Sequence, residues 1–324
     1  MTNLILPEFL NKKKIFTFIC VSFFLFSCKQ IEKNSIQAIE KSVEIIVLGT
    51  MQDGGMPHLG CTKSCCEDYF KKGFSDKRVV SLGVSDHKKN KNYLIEASPD
   101  ISTQLNDFLI NNSKKLDGIF ITHAHIGHYS GLINLGREVF NASKIPLYLM
   151  PKMIDFISSN GPWDQLIKLK NVELKGVFHG KEEKLTENLT IIPFKVPHRD
   201  EYSETVGFKI IGPKKSALFI PDIDKWDKWN ISIESLISQV DYAFLDGTFY
   251  DSKEINNRDV SEIPHPFIIE SLYLFKDLKE SERSKIYFIH LNHTNPLLNS
   301  KSEEYQHVLA SGYNVALEGL KLEL

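Results

Sequence analysis

Three histidines stand within six residues, His123, His125 and His128, directly after the apolar run Ile119-Phe120-Ile121. Neutral imidazole binds zinc and related metals well, and the spacing of His123 and His125 lets both side chains reach one ion from an extended loop. His128 can then face a second ion. A loop with surface histidines is the alternative, but three of them at the end of a predicted strand favour a metal site.

Other polar side chains also follow apolar runs later in the chain. His198, Asp222 and His290 each stand at the end of such a run, and α/β enzymes place functional groups at the carboxyl ends of strands. We therefore expect these three to join the histidine cluster. Asp246, which ends another run, and His265, between two prolines, are further candidates, although each could also be an ordinary loop residue.

Three of the five cysteines, Cys61, Cys65 and Cys66, lie within six residues of one another. Adjacent cysteines do not readily bond each other, and an odd cluster in an exported protein argues for a metal rather than for disulfides. Free thiols or a redox pair are the alternatives.

The N-terminus has the pattern of a targeting segment. Lysines 12–14 precede an apolar stretch of about a dozen residues, too short to span a bilayer as a helix. It ends in Leu25-Phe26-Ser27-Cys28, which resembles a bacterial lipobox. We expect residues 1–27 to be a lipoprotein signal peptide, Cys28 to be acylated, and residues 28–42 to be a tether. A plain signal peptide or an uncleaved anchor is the alternative.

Composition and charge limit the partners. The chain has 324 residues, 42% hydrophobic and 25% charged, which is typical of a globular protein. Its net charge of -2 gives no argument for nucleic acid as a partner, so we expect a small-molecule substrate and a membrane contact through the lipid. The lipid would hold the protein on the bacterial cell envelope, with the globular domain outside the cytoplasm.

Predicted strands and helices alternate, which indicates an α/β fold. Two stacked sheets fit this pattern, but periodicity alone does not distinguish them from one doubly wound sheet. The predicted strands are Val43–Leu48, Tyr93–Ile95, Gly118–Thr122, Pro146–Met150, Leu189–Val196, Val206–Ile211, Ala217–Ile220, Tyr242–Leu245 and Lys285–Ile289. The predicted helices are Ile101–Asn111, Tyr129–Phe140, Met153–Ser159, Ser232–Val240, Pro266–Leu278 and Ser302–Ser311.

The histidine segment resembles the His-x-His-x-Asp-His signature of metallo-β-lactamase-fold hydrolases. This resemblance implies a four-layer αββα sandwich over residues 43–324. It also implies a first ion on His123, His125 and His198, a second on His128 and His290, and Asp222 bridging the two. Gly127 stands where the family has an aspartate that ligates the second metal, so the second site is expected to be weak or empty.

Further motifs resemble the B proteins of pyrroloquinoline-quinone biosynthesis. They are Val47-Leu48-Gly49-Thr50, Asp53-Gly54-Gly55 with Pro57, Ala97-Ser98-Pro99-Asp100-Ile101, Ser203-Glu204-Thr205-Val206-Gly207, Asp246-Gly247-Thr248-Phe249 and Asn295-Pro296. His265 is similar to a histidine at the substrate end of those proteins. The cysteines resemble the motif of cyclic phosphodiesterases of phosphonate breakdown, which implies a structural zinc on Cys61, Cys65, Cys66 and His293, although Lys63 stands where that family has its middle cysteine.

These resemblances imply a hydrolase with active-site Zn²⁺, one or two ions, and with Mn²⁺ or Fe²⁺ as alternatives. A metal-bound water would attack an ester or phosphodiester, with Asp222 and His265 as the catalytic side chains. A cofactor-biosynthesis protein with oxidative chemistry and a non-catalytic metal- or ligand-binding lipoprotein are the alternatives.

The lipobox generates a prediction about anchoring. Replacing Cys28 with Ser removes the thiol that would be acylated, so the protein should leave the membrane fraction and lose labelling by a fatty-acid analogue. Cell fractionation and labelling of the two forms measure this. Equal membrane retention and labelling would contradict the prediction.

Overall fold

The computed structural model describes residues 42–73, 75–110, 112, 115–255 and 259–324. The predicted signal peptide, Cys28 and the tether up to residue 41 lie outside these described residues. Within the described ranges, the helices are all too short or too polar to cross a membrane.

The first sheet has seven strands: β1 (Val43–Gly49), β2 (Ser81–Asp86), β3 (Lys91–Ile95), β4 (Gly118–Phe120), β5 (Ile145–Leu149), β6 (Val172–Gly176) and β14 (Lys321–Glu323). Their order in space is β14-β1-β2-β3-β4-β5-β6. Strands β3 to β6 are parallel, whereas β14, β1, β2 and β3 pair antiparallel. The loop that carries the three histidines therefore begins at the carboxyl edge of the parallel half.

The second sheet also has seven strands: β7 (Glu183–Lys184), β8 (Thr190–Lys195), β9 (Val206–Ile211), β10 (Ser216–Ile220), β11 (Tyr242–Asp246), β12 (Ile286–Ile289) and β13 (Asn314–Val315). Their order is β13-β12-β11-β10-β9-β8-β7, with β10 to β13 parallel. Asp222 and His290 follow β10 and β12, so they lie at one edge of this sheet.

Most of the helices contribute side chains to the hydrophobic clusters on the outer faces of the two sheets. They are α1 (Ser64–Lys72), α2 (Ile101–Ile110), α3 (Ile126–Tyr129), α4 (Pro151–Ser159), α5 (Trp163–Lys168), α6 (Ile233–Ile237), α7 (Ile268–Leu274), α8 (Glu280–Arg283) and α9 (Glu303–Ala310). A 3₁₀ helix, Ser130–Leu135, directly continues α3.

Three hydrophobic cores follow from the alternation of side chains along the strands. In β3, Tyr93 and Ile95 enter a core shared by both sheets, while Leu94 packs on the other face against α2 and α4. In β10, Phe219 enters the shared core, and Leu218 packs against the helices of the second sheet. Apolar residues on both faces thus produce four layers, and the αββα sandwich is confirmed over the alternative of one doubly wound sheet.

The helix predicted at Tyr129–Phe140 is wrong in its extent. The chain forms the short α3 and then the 3₁₀ helix, which ends at Leu135. At Gly131 the backbone approaches the preceding loop so closely that a Cβ would lie 2.0 Å from the Ser98 carbonyl oxygen. Only glycine permits this approach. As a result, the segment after the histidine loop packs closely against the loop that follows β3.

Candidate metal centre

The histidine loop is held by hydrogen bonds from both sheets. The Val206 amide donates to the Thr122 carbonyl at 3.1 Å, and the Ala124 amide donates to Ser203 Oγ at 2.8 Å. The Ala97 amide donates to the His128 carbonyl at 2.9 Å. The loop is therefore fixed before any ligand binds.

The first cluster brings together His123, His125, His198 and Asp222, with one ligand atom of each within 4.8 Å of the others. Asp222 Oδ2 lies 3.4 Å from His123 Nε2, and Asp222 Oδ1 lies 3.2 Å from His198 Nε2. His125 Nδ1 is 3.3 Å from His198 Nε2. Ligands of a tetrahedral ion with bonds of about 2.0–2.1 Å are separated by about 3.3 Å, so these atoms have the spacing of a coordination shell.

The second cluster consists of His128, His290, Asp222 and Asp53, again with ligand atoms within 4.8 Å. Asp53 Oδ1 lies 3.0 Å from His128 Nε2 and 3.3 Å from His290 Nε2. Asp222 Oδ2 lies 3.8 Å from His128 Nε2. Asp222 thus belongs to both clusters, as a bridging carboxylate does. Asp53 was not assigned a metal role from the sequence, although it follows the end of β1 as the other ligands follow their strands.

Unsatisfied buried atoms show that the clusters fit metal ions. His123 Nε2, His128 Nε2 and Asp222 Oδ1 are buried and have no hydrogen-bond partner among the described residues. Buried polar atoms are almost always satisfied. These three atoms approach neighbouring carboxylates or imidazoles without hydrogen-bond geometry, as atoms that point towards a common centre do. Imidazole and carboxylate together suit Zn²⁺ and also accept Mn²⁺ or Fe²⁺.

The second nitrogen of several ligand rings is held by a neighbouring side chain. His123 Nδ1 lies 2.9 Å from Thr122 Oγ1, and His290 Nδ1 lies 2.8 Å from Thr248 Oγ1. His128 Nδ1 lies 3.5 Å from the buried Glu96 carboxylate, a charge contact without hydrogen-bond geometry. These contacts leave Nε2 of each ring to face the centre, as supporting side chains around metal-binding histidines do.

Two residues of this site have strained backbones. Glu96 has φ 74° and His290 has φ 65°, both in the left-handed region. Such conformations cost on the order of 1–3 kcal/mol for residues other than glycine and persist where the surroundings enforce them. Strain of this kind clusters at functional sites in proteins, so it agrees with the ligand clusters in pointing to this part of the fold.

Charge interactions oppose desolvation at Asp222 and at His128. Burial favours a higher pKa for Asp222, but the nearby His198 and His265 hold its pKa well below the usual value. Burial alone would lower the pKa of His128, but Asp53 and Glu96 raise it well above the usual value. The carboxylates are therefore ionised and are available as ligands.

His265 lies between two carboxylates. Its Nδ1 is 2.9 Å from Asp246 Oδ2 and 3.2 Å from Asp222 Oδ1. Burial acts to lower the pKa of His265, but Asp246 and Asp222 together raise it to about 9. Asp246 also accepts hydrogen bonds from the Ile223 amide and from Thr248. Asp246 thus orients His265 beside the bridging carboxylate.

The expectation that the second site is weak or empty stays a prediction, but the structure places the carboxylate of Asp53 beside Gly127 and within the second cluster. A Cβ at Gly127 would lie 2.5 Å from Asp53 Cα and 2.7 Å from Asp53 Oδ1. Asp53 comes from the loop after β1, far from the histidine motif in sequence, so the motif gives no sign of it.

The structure also brings Cys61, Cys65, Cys66 and His293 together, with ligand atoms within 4.8 Å. The Sγ atoms of Cys61 and Cys65, and those of Cys65 and Cys66, are 3.9 Å apart. This is close to the separation of about 3.8 Å between thiolates on a tetrahedral zinc with bonds of about 2.3 Å. Cys65 and Cys66 lie in the first turn of α1, so Cys65 can serve although Lys63 departs from the motif. His58 stacks on His293 with ring centroids 4.3 Å apart.

A cavity of about 400 Å³ opens between the two metal-binding regions. His265 forms its inner wall, and His58 and His293 line the side near the cysteines. Arg199, directly after the ligand His198, and Lys63 contribute positive charge to its lining. The cavity adjoins the histidine clusters through His265, whose Nδ1 lies 3.2 Å from Asp222 Oδ1.

A family model for a β-lactamase superfamily domain matches residues 91–291, more than half of the chain and nearly all of the histidine ligands. The chain belongs to the β-lactamase superfamily. Its two sheets and flanking helices form the metallo-β-lactamase sandwich of that superfamily.

Individual relatives agree with this assignment. Coenzyme PQQ synthesis protein B of Acinetobacter baumannii (strain ACICU) is 25% identical over 314 residues, which cover 87% of this chain and all of the relative. Among solved structures, Zn²⁺-bound PqqB from Methylobacterium extorquens has a TM-score of 0.70 at 23% identity and covers 87% of this chain and 100% of its own. A diphosphatase from the PhnP family has a TM-score of 0.61 at 23% identity, covering 87% and 97%. The fold is shared with both structures.

The cysteine cluster generates a prediction about stability. Cys61→Ser removes one ligand of the cluster that clips the loop after β1 to the loop after β12, so bound zinc should fall by about one equivalent. Structural zinc contributes to folding free energy, and a loss of about 3 kcal/mol would lower the Tm by about 5–10 °C in a domain of this size. Elemental analysis and thermal unfolding measure both effects. Thr62→Ser, an exposed change in the same loop, is the control, and unchanged zinc and Tm in Cys61→Ser would refute the cluster.

Proposed function

We propose that this protein is a metal-dependent hydrolase of small anionic phosphate esters, phosphodiesters in particular. The supporting observation is that two ligand clusters share Asp222 and adjoin a cavity whose lining includes Arg199 and Lys63. A neutral ester would gain little from this charge, whereas a phosphate group would be attracted and oriented by it.

The ligand sets assign roles to the residues of the centre. His123, His125 and His198 would hold one ion, His128 and His290 the other, with Asp222 between them. When bound, such ions act as Lewis acids and lower the pKa of a coordinated water towards neutrality. Asp222, which contacts residues of both clusters, would be a ligand of both ions. His265 carries a proton beside Asp222 and faces the cavity, where it can donate to a departing oxygen.

The charges of the cavity favour an anion. The closest carboxylate to the Arg199 guanidinium is Glu201, at 3.7 Å, and both side chains are about half exposed, so this pair is weak. Burial raises the pKa of Glu254 to about 7, and hydrogen bonds from the Tyr250 amide and Thr294 only partly offset this. Glu254 is then only partly ionised at neutral pH, and the exposed Glu262 is the other carboxylate of the lining, so the charges of Arg199 and Lys63 are only partly offset.

A second candidate is an oxidative step in cofactor biosynthesis. It is supported by the match to the PQQ synthesis protein B of Acinetobacter baumannii, which covers all of that relative. Fe²⁺ would then be the productive metal, and oxygen consumption rather than release of an alcohol would report turnover.

We also propose that the protein acts on the bacterial cell envelope, outside the cytoplasm. The lipobox at Cys28 supports a lipid anchor in the membrane. The net charge of -2 supports a small-molecule substrate rather than nucleic acid.

Activity should be measured on protein loaded with Zn²⁺, Mn²⁺ or Fe²⁺ and with its metal content verified. The panel should contain bis(p-nitrophenyl) phosphate, a diphosphate diester, p-nitrophenyl acetate and a lactone. Hydrolysis of the phosphate esters well above that of the neutral esters, abolished in Asp222→Asn, supports the proposal. Absence of hydrolysis from every metal form overturns it, and metal-dependent oxygen uptake would favour the oxidative candidate.

The cavity generates a prediction about Arg199. Arg199→Ala removes a guanidinium that would donate charge-assisted hydrogen bonds to the substrate, each worth about 1.5–3 kcal/mol. The KM for a phosphodiester should therefore rise about 10- to 100-fold, with metal content unchanged. Arg137→Ala, at an exposed position outside the cavity, is the matched control. An unchanged KM in Arg199→Ala would show that this side chain does not contact the substrate.

A further inference from the structure

The space beside Gly127 is filled by the side chain of another segment. A Cβ at this position would lie 2.5 Å from the backbone of Asp53, closer than real side chains permit. A side chain at position 127 is therefore incompatible with the present position of Asp53. Because Gly127 of α3 has no side chain, there is room for the carboxylate of Asp53, which lies in the loop after β1.

This loop is held against the segment of His290 by main-chain hydrogen bonds. The Leu291 amide donates to the Thr50 carbonyl at 2.8 Å, and the Gln52 amide donates to the Leu291 carbonyl at 2.9 Å. Asp53, the next residue, is thus placed beside His290 by the backbone. Its Oδ1 lies 3.0 Å from His128 Nε2, which has no hydrogen-bond partner of proper geometry.

We propose that Asp53 is the carboxylate ligand of the second ion and that Gly127 is required because it leaves room for Asp53. This inference rests on the metal centre of the proposed function. The second position then has two imidazoles and two carboxylates, a full set of four protein ligands. Its negative charge is the same as if the carboxylate came from the helix. Both ions should consequently bind tightly, in contrast to the unequal occupancy expected from the sequence.

The alternative is a structural role, in which Asp53 only pairs with a protonated His128. A measurement of metal affinity distinguishes the ligand role from the structural role. Asp53→Asn keeps the size and an oxygen at the same place but removes the negative charge beside a dication. It should weaken the second ion by at least about 100-fold, because loss of a mere supporting contact already costs 10- to 100-fold in metal affinity. Asp76→Asn, an exposed carboxylate on the same surface depression, is the matched control.

A steric variant tests the same idea independently. Gly127→Ala removes no ligand, but its methyl group would displace Asp53 and should weaken the second ion to a similar extent. Ile126→Ala, at the exposed neighbouring position, is its control. The first ion and the Tm of each variant report whether the remaining site is intact.

The measurement is a titration of apo protein with Zn²⁺ alone by calorimetry, repeated with Co²⁺, whose absorption separates thiolate sites from nitrogen and oxygen sites. The expected result is two tight active-site ions in the native protein and one in Asp53→Asn and in Gly127→Ala. Two tight ions in both variants would overturn the inference and leave the proposed hydrolysis intact. A single tight active-site ion in the native protein would also overturn it, while hydrolysis by one ion would still stand. Failure of the activity panel with the expected titration would overturn only the proposed function.

Discussion

The burial of several carboxylates among imidazoles is the constraint on which this structure depends. Glu96 and Asp246 have no exposed surface and Asp222 has 3%. An isolated ionised carboxylate in such a place would be prohibitively unfavourable, so each must face cations or hydrogen-bond donors. The protein supplies histidines and amides, yet His123 Nε2, His128 Nε2 and Asp222 Oδ1 remain without hydrogen bonds. Divalent ions at the two clusters would complete this arrangement.

The two sheets bring short loops together at the candidate metal centre. The histidine loop comes from the first sheet, whereas Asp222 and His290 come from the second, so neither sheet alone contains a complete centre. The loop after β1 joins the sheets directly, since Met51 forms backbone bridges with both Val79 and Leu291. The same loop then carries the cysteines, and His293 follows His290 by three residues. Both metal-binding regions therefore depend on one contact between two short segments.

The sequence predicted much of this because strands buried on both faces have a clear pattern and ligands cluster at their ends. The alternating strands and helices and the clusters of histidines and cysteines were accessible in this way, whereas the four layers and the grouping of the ligands, His293 included, came from the resemblance to known families. Strand β2 was missed because its sequence, Ser-Leu-Gly-Val-Ser-Asp, is too polar and contains a glycine that packs on Phe108. Asp53 was missed as a ligand because its place beside Gly127 is a long-range contact that no local pattern encodes.

A crystal structure of the protein grown with zinc, with anomalous diffraction measured on both sides of the zinc absorption edge, tests the account most directly. Three zinc peaks per chain are predicted: one among the cysteines and His293, and two about 3.5–4 Å apart on either side of Asp222. Asp53 should lie about 2.0–2.2 Å from the ion held by His128 and His290. A single active-site peak, or a second ion whose fourth ligand is a water with Asp53 turned away, would contradict the account.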